Sequence, residues 1–226
     1  TRTVELGLAA CLRPDVSAPA VPAVAAKARA AGTIGAVVFG SDQGLVGQFN
    51  TALFDFVVAA LAKLPGEKRV WTVGERIRAH LSDTDLQPGK PFVLPNAIGA
   101  ITPLVGQILV EMEARRDDGE IDEVYVFHNR PQSGALYVPV SQRLLPLDER
   151  WRRDHAKTPR PTSNLPEIMN GRERTLPAIV HEYLVVSLFR ALAESPARDT
   201  ASRLAAMHRA DQHTRELRSD LRRTVA

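Results

Sequence analysis

Thr33-Ile-Gly-Ala-Val-Val-Phe-Gly40, followed by Ser41-Asp-Gln-Gly-Leu-Val-Gly-Gln-Phe-Asn50, is the stretch that decides the fold. Its first half is a nearly continuous apolar run, partly β-branched, closed by a glycine. Such a run predicts a strand buried on both faces. Beyond Asn50 a helical pattern begins: Leu53, Phe54, Val57, Val58 and Leu61 fall on one helical face, and Pro65-Gly66 ends it. Arg69-Val-Trp-Thr-Val73 predicts a second strand, and Gly74 opens a short helix through Leu81. Strand, helix, strand, helix over 33–81 is the signature of a layered α/β fold.

Working outward, Pro91-Phe-Val-Leu94 reads as a short strand. Thr102-Pro103 reads as a helix start, Thr as N-cap and Pro at the first position, with the helix running to about Arg116. Asp122 to His128 alternates as a strand, a turn cluster follows, and Ala135 to Leu145 is the next strand. That pair predicts a hairpin and hence a mixed sheet. Residues 148–175 are charged and Pro-rich and read as an irregular excursion. From Leu176 helix returns, with Ile179, Tyr183, Val186, Phe189, Arg190 and Ala193 at helical spacing. Ser195-Pro196 reads as a fresh helix start. Beyond it Leu204, Met207, Thr214, Leu217, Leu221 and Val225 form a narrow stripe that suits a coiled-coil seam. On the N-terminal side, residues 14–30 are rich in Pro and Ala, and a short helix is expected from Pro22 to Ala31.

Composition narrows the classes. Hydrophobic residues make up 44% and charged residues 24% of 226, which excludes a disordered or collagen-like chain and suffices for a core without staples. Cys11 is the only cysteine, so neither an intrachain disulfide nor a cysteine metal cluster is available. Apolar runs such as Tyr183 to Phe189 fall far short of the ~20 residues of a bilayer span. No leader is visible, but Thr1 is not an initiator Met, so that carries no weight. The net charge is only +3, and no aromatic residues interleave with a basic run, which argues against a nucleic-acid groove.

No motif in the chain assembles a catalytic set. Gly40, Gly44 and Gly47 sit where a dinucleotide loop would, but their spacing is G-x-x-x-G-x-x-G and no Lys-Ser/Thr follows. Asp42 would repel a pyrophosphate, so the glycines read as a tight strand-to-helix turn. The histidines, His80, His128, His155, His181, His208 and His213, offer no i,i+4 zinc pair, and read as solvent-facing or partly packed. No G-x-S-x-G elbow exists. Arg198, Arg203, Arg209, Arg215, Arg218, Arg222 and Arg223 are offset by Asp199, Asp211, Glu216 and Asp220, as on a solvated helix face.

Gly40 to Asn50 resembles the "SDRGLCGGLN" segment of the gamma subunits of rotary F-type ATP synthases, with Asp42, Gly44, Leu45, Gly47 and Asn50 matching position by position. Gln142-Arg-Leu-Leu-Pro146 is similar to that family's "LLPL" strand end. Glu182-Tyr-Leu184, Leu192-Ala-Glu-Ser195 and Ala201-Ser-Arg-Leu-Ala-Ala-Met207 resemble its C-terminal helix motif, in the same order. Departures are Gln48 in place of a glycine, and Gln212 and His213 in place of the family's Asp and Asn. The resemblance covers most of the chain but lacks most of the family's N-terminal helix and its C-terminal tip, as in a cut chain or a divergent bacterial ion-translocating ATPase.

The resemblance implies a layered Rossmann-like α/β domain with a mixed sheet, plus a long C-terminal helix belonging to a coiled-coil shaft. The implied division is a remnant N-terminal segment and linker at 1–32, the globular domain at 33–175 and shaft helices at 176–226. It implies a non-catalytic central-stalk subunit without cofactor or metal, coupling proton- or sodium-driven rotation to ATP synthesis or hydrolysis. Its partners would be the alpha and beta subunits of the hexamer, the epsilon subunit and the c-ring, with no nucleic acid and no membrane span of its own. It would lie peripherally on the cytoplasmic face of a bacterial inner membrane. Arg203, Met207, Gln212 and Arg215 would be rotor contacts, and Asp42, Gly44, Gly47 and Asn50 the structural turn. The competing reading is a Rossmann-like domain binding a nucleotide or small molecule at Gly40 to Gly47. The isolated chain is therefore expected neither to bind nor to hydrolyse ATP; a micromolar nucleotide site at Gly40 to Gly47, seen by calorimetry, would overturn that reading.

Overall fold

The computed structural model describes residues 2–12, 32–41, 49–82, 84, 86–94, 98–132, 137–147, 149–159, 162–164, 166–169 and 171–195. Five strands form one sheet: β1 (Ile34–Phe39), β2 (Lys68–Val73), β3 (Gln87–Pro88), β4 (Glu123–Pro131) and β5 (Tyr137–Leu145), in the order β3-β2-β1-β4-β5. β1 pairs in parallel with β2 and β4, and β2 with β3; β5 closes the edge antiparallel to β4. The helices are α1 (Arg2–Leu12), α2 (Phe49–Ala62), α3 (Glu75–Leu81), α4 (Ile101–Asp117), α5 (Glu149–Ala156) and α6 (Arg172–Ser195).

Strand alternation divides the core into two layers. Ile34, Ala36 and Val38 of β1 join Val70 and Phe127 under α2 and α3, which contribute Leu53, Val57, Leu61, Ile77 and Leu81. Val37 and Phe39 point the other way, joining Trp71, Val73, Val124 and Val126. That face is covered by α4 through Leu104, Val105 and Ile108 and by α6 through Leu184, Leu188 and Leu192. All six residues of β1 are buried, as the unbroken apolar run predicts. Each fully buried Leu contributes about 1.5–3 kcal/mol of transfer free energy, so Leu188 and Leu192 alone hold α6 firmly to the sheet.

The α/β architecture, the mixed sheet and the hairpin of β4 with β5 agree with the sequence reading. Several details differ. Helix α4 starts at Ile101, after a 3-10 turn at Ile98–Ala100; its N-cap is Ala100 without a side-chain bond, not Thr102. Pro103 thus falls third in the helix, still within the first turn, where a missing N–H costs nothing. Residues 91–94 provide one parallel bridge, Phe92 to Val73, and the short strand is Gln87–Pro88 instead. The excursion at 148–175 holds α5, whose charged sequence hides any periodicity. Its apolar anchor is Trp151, stacked on His155 at 3.9 Å and edge-on to Tyr183 of α6 at 5.2 Å.

The first residues form a helix that the sequence reading did not pick out. Leu8 of α1 is fully buried in the α4–α6 layer, and Gly7 lies so close to α6 that a Cβ there would stand 3.1 Å from Ile179 Cδ1. Helix α6 also corrects the expectation that no segment reaches membrane-span length. Its 24 residues are long and apolar enough by composition, because the helix extends well beyond the apolar run first counted. One face of it, with Tyr183, Leu184, Leu188, Ala191 and Leu192, is buried in the core of this domain. The helix expected from Pro22 to Ala31 and the stripe from Leu204 to Val225 lie outside the described residues.

The close fit at the end of β1 yields a test. A Cβ on Gly40 would stand 2.4 Å from Cβ and 2.5 Å from Cγ2 of the fully buried Ile77. Neither atom is the free end of a flexible chain, so Gly40→Ala must displace α3. It is expected to lower stability by about 1–3 kcal/mol in urea unfolding; an unchanged midpoint would show that the packing is looser than described.

Candidate functional site

In an open α/β sheet the place to look for function is fixed by topology. The chain leaves β1 toward β2 and β3, then returns to β4 on the other side. The crevice between the carboxyl ends of β1 and β4 is where such folds hold their ligands. Here Phe39 and His128 are register partners at that edge.

The end of α6 is bonded to this edge. Ser195, 1% exposed, donates its hydroxyl to the Phe39 carbonyl at 3.0 Å, with the Gly40 carbonyl at 3.4 Å. Its neighbour Glu194 turns to β4, where its carboxylate lies 3.0 Å from His128 Nε2 and 3.7 Å from Arg130 Nε. Arg190, one turn earlier on α6, donates to the second carboxylate oxygen at 2.6 Å. Adjacent residues of one helix thus grip two adjacent central strands. The sequence reading of Ser195 as an N-cap meets a hydroxyl whose proton is already committed to β1.

The protonation states follow from the geometry. His128 is 2% exposed, and its Nδ1 has no partner among the described residues. An Nδ1–H there would be an unsatisfied buried donor, so the hydrogen-bond network assigns a neutral ring carrying its proton on Nε2. Burial pushes His128 below the ordinary imidazole value, against the pull of Glu194. Burial raises Glu194, but the hydrogen bonds from Arg190 and His128 and their charges outweigh it and hold the carboxyl below its usual range.

A second set of bonds ties the start of α2 to the same edge. Asn50 Oδ1 accepts the Ser41 backbone N–H at 3.0 Å, and its Nδ2 donates to Ser41 Oγ at 2.9 Å. Asn129, next to His128, donates from Nδ2 to the Phe49 carbonyl at 3.1 Å. Gly74, at φ 110°, sits against the backbone of Gly40 and Ser41, where a Cβ would come within 3.1 Å.

Of the residues singled out from the sequence, Asn50 is the one in view, buried and bonded across the turn to Ser41. Asp42, Gly44, Gly47, Arg203, Met207, Gln212 and Arg215 lie outside the described residues. The sequence reading took His128 for a solvent-facing or partly packed residue and passed over its pairing with Glu194. Strand alternation carried the signal, since His128 shares a face with the inward Val124 and Val126. Among the described residues no group of three His, Cys, Asp or Glu could hold a metal ion.

The fold and site define an α/β domain whose own helix is bonded to the carboxyl edge of its two central strands. A family model described as ATP synthase matches residues 3–226. The chain belongs to the ATP synthase family, in its gamma-chain branch. It is 27% identical over 187 residues to the ATP synthase gamma chain of Desulfitobacterium hafniense, covering 81% of this chain and 62% of that one. It is also 27% identical over 203 residues to the gamma chain of Nitrosomonas eutropha, covering 83% and 65%. The chain therefore spans less than two thirds of the length of these relatives. In fold it is similar to a chain in the central stalk and c-ring structure of Tetrahymena thermophila mitochondrial ATP synthase. That match has a TM-score of 0.58 at 21% identity, over 93% of this chain and 86% of the other. A chain of the Euglena gracilis mitochondrial ATP synthase rotor matches with a TM-score of 0.54 at 14% identity, over 97% and 91%.

Neutral His128 and ionised Glu194 both make stability fall with acid. Below its ordinary value of 6.5 a histidine in the unfolded chain takes a proton that buried His128 resists, so folding loses free energy as pH falls below that value. Glu194 adds its share below 4.5, where the unfolded carboxyl protonates first. Thermal melts from pH 7.5 to 4 are expected to show the midpoint falling in that order. His128→Gln, which keeps a donor and cannot titrate, should flatten the upper part of the curve; an identical slope in the variant would contradict the assignment.

Proposed function

We propose that the chain is the central-stalk subunit of an F-type ATP synthase, the part that couples ion-driven rotation to ATP synthesis or hydrolysis in a hexamer of alpha and beta subunits. The observation that carries the reading is the bonding of Ser195 and Glu194 of α6 to the carboxyl ends of β1 and β4, the edge where folds of this kind receive small molecules. This weighs against the competing nucleotide-binding reading. What remains for the domain to do is to hold a helix.

The division expected from the sequence, N-terminal segment 1–32, globular mount 33–175 and shaft 176–226, is modified on this reading: Leu8 of α1 and α6 as far as Ser195 pack in the core of the mount, and the shaft is the chain beyond Ser195. The mount meets the epsilon subunit and the c-ring, and the coupled ion is a proton or sodium. The protein sits peripherally on the cytoplasmic face of a bacterial inner membrane. ATP chemistry belongs to the hexamer and none to this chain. An asymmetric shaft favours a different conformation at each of three sites, and the difference in its contacts with those conformations is the coupling free energy. Arg203, Met207, Gln212 and Arg215 are the contact residues, and Asp42, Gly44 and Gly47 complete the turn that Asn50 ties down.

Co-expression of the tagged chain with its alpha, beta and epsilon subunits tests the assignment, and a stable complex that hydrolyses ATP is the expected product. A chain that elutes alone would refute it. Within the assembled enzyme, Arg203→Ala should reduce coupled ATP synthesis by the loss of a charge-assisted contact, about 1.5–3 kcal/mol. Unchanged synthesis would remove Arg203 from the contact set.

A further inference from the structure

We propose that Glu194 and Ser195 form the torque-bearing joint of this protein, which passes a twist of the chain beyond Ser195 into the sheet. The proposal rests on the central-stalk reading and goes beyond it by naming the residues that carry the load.

Two kinds of contact hold α6, and they resist different motions. The apolar contacts of Leu184, Leu188 and Leu192 are non-directional. They oppose lifting the helix off the sheet and a large roll that would carry the leucines out of the core, but they set no sharp angle against a small roll. Hydrogen bonds depend on angle and do resist rolling. A single directional anchor would still act as a hinge. Here there are two, on consecutive residues that project about 100° apart around the helix, and they reach different strands. Ser195 is bonded to the end of β1, and Glu194 to His128 and Arg130 of β4. Adjacent strands lie about 4.8 Å apart, so the two anchors have a lever arm between them, and rolling must stretch one or the other.

The surroundings add stiffness. Ser195 and His128 are 1% and 2% exposed, so water does not compete for their bonds. Arg190 fixes the Glu194 carboxylate from within α6, removing the side-chain freedom that would otherwise absorb a twist. β1 and β4 are themselves paired along all of β1, which spreads the load over the centre of the sheet.

The test uses the full chain in the assembled, membrane-embedded ATP synthase. Glu194→Gln and Ser195→Ala are made singly and together, with Ser195→Thr as the variant that keeps the hydroxyl. Three quantities are read: ATP hydrolysis by the detached, unloaded motor, ions pumped per ATP against a gradient, and rotor stiffness from single-molecule angular fluctuations. Expected are near-normal unloaded hydrolysis, a fall in loaded pumping of about tenfold in the double variant, the equivalent of one lost charge-assisted contact, and a softer rotor. Ser195→Thr should recover most of the loss. Glu194→Gln keeps the shape of the side chain and supplies the stiffness reading if the double variant does not assemble. Wild-type stiffness and pumping in an assembled Glu194→Gln or double variant would overturn the joint while leaving the stalk reading intact. Failure of the unaltered chain to join the complex would overturn both.

Discussion

Everything in this domain depends on one strand having no wet side. β1 is buried along its whole length, with Val37 and Phe39 facing one layer and Ala36 and Val38 the other. A strand of that kind is stable only if helices cover both faces. α2 and α3, immediately downstream, cover one. The other is covered by α4 and by α6, which comes from the far end of the described chain. The C-terminal helix is therefore not an appendage to the domain. It is a wall of the core, and its removal would expose Phe39, Trp71 and Val126 together.

Covering that face brings the end of α6 to the carboxyl edge of the sheet. In a nucleotide-binding relative of this architecture that edge must stay open. Here a serine hydroxyl and an ionised carboxylate, with their partners already in place, are bonded to it. The bonds satisfy the Ser195 hydroxyl and His128 Nε2, which burial would otherwise leave stranded. A neutral His128 and a charged Glu194 make a compatible pair only because Arg190 and Arg130 supply the positive charge.

Much of the fold was legible because its elements announce themselves locally. The unbroken run of β1, the one-sided pattern of α2 and the alternation of β4 have no competing interpretation. α5 was not legible, because a run of Glu, Arg, Asp and His around one Trp has no apolar period; its stability comes from Tyr183 across the core. The α4 boundary was misplaced because Thr102-Pro103 satisfies a capping rule that the preceding 3-10 turn made unnecessary. At the site, nothing in either resemblance motif shows that the two meet. Ser41 and Asn50 stand beside Phe39, and Ser195 reaches Phe39 from 156 positions away. Contacts of that range are invisible to any local pattern.

That separation has a consequence for how the protein is made. A ribosome adding about 5–20 residues per second takes on the order of 8–30 s to travel from Phe39 to Ser195. During that interval the strands of the sheet can pair, but one apolar face and the open carboxyl edge have no cover. The domain is thus completed only once Ser195 has been made, and until then the nascent chain is the form most in need of a chaperone.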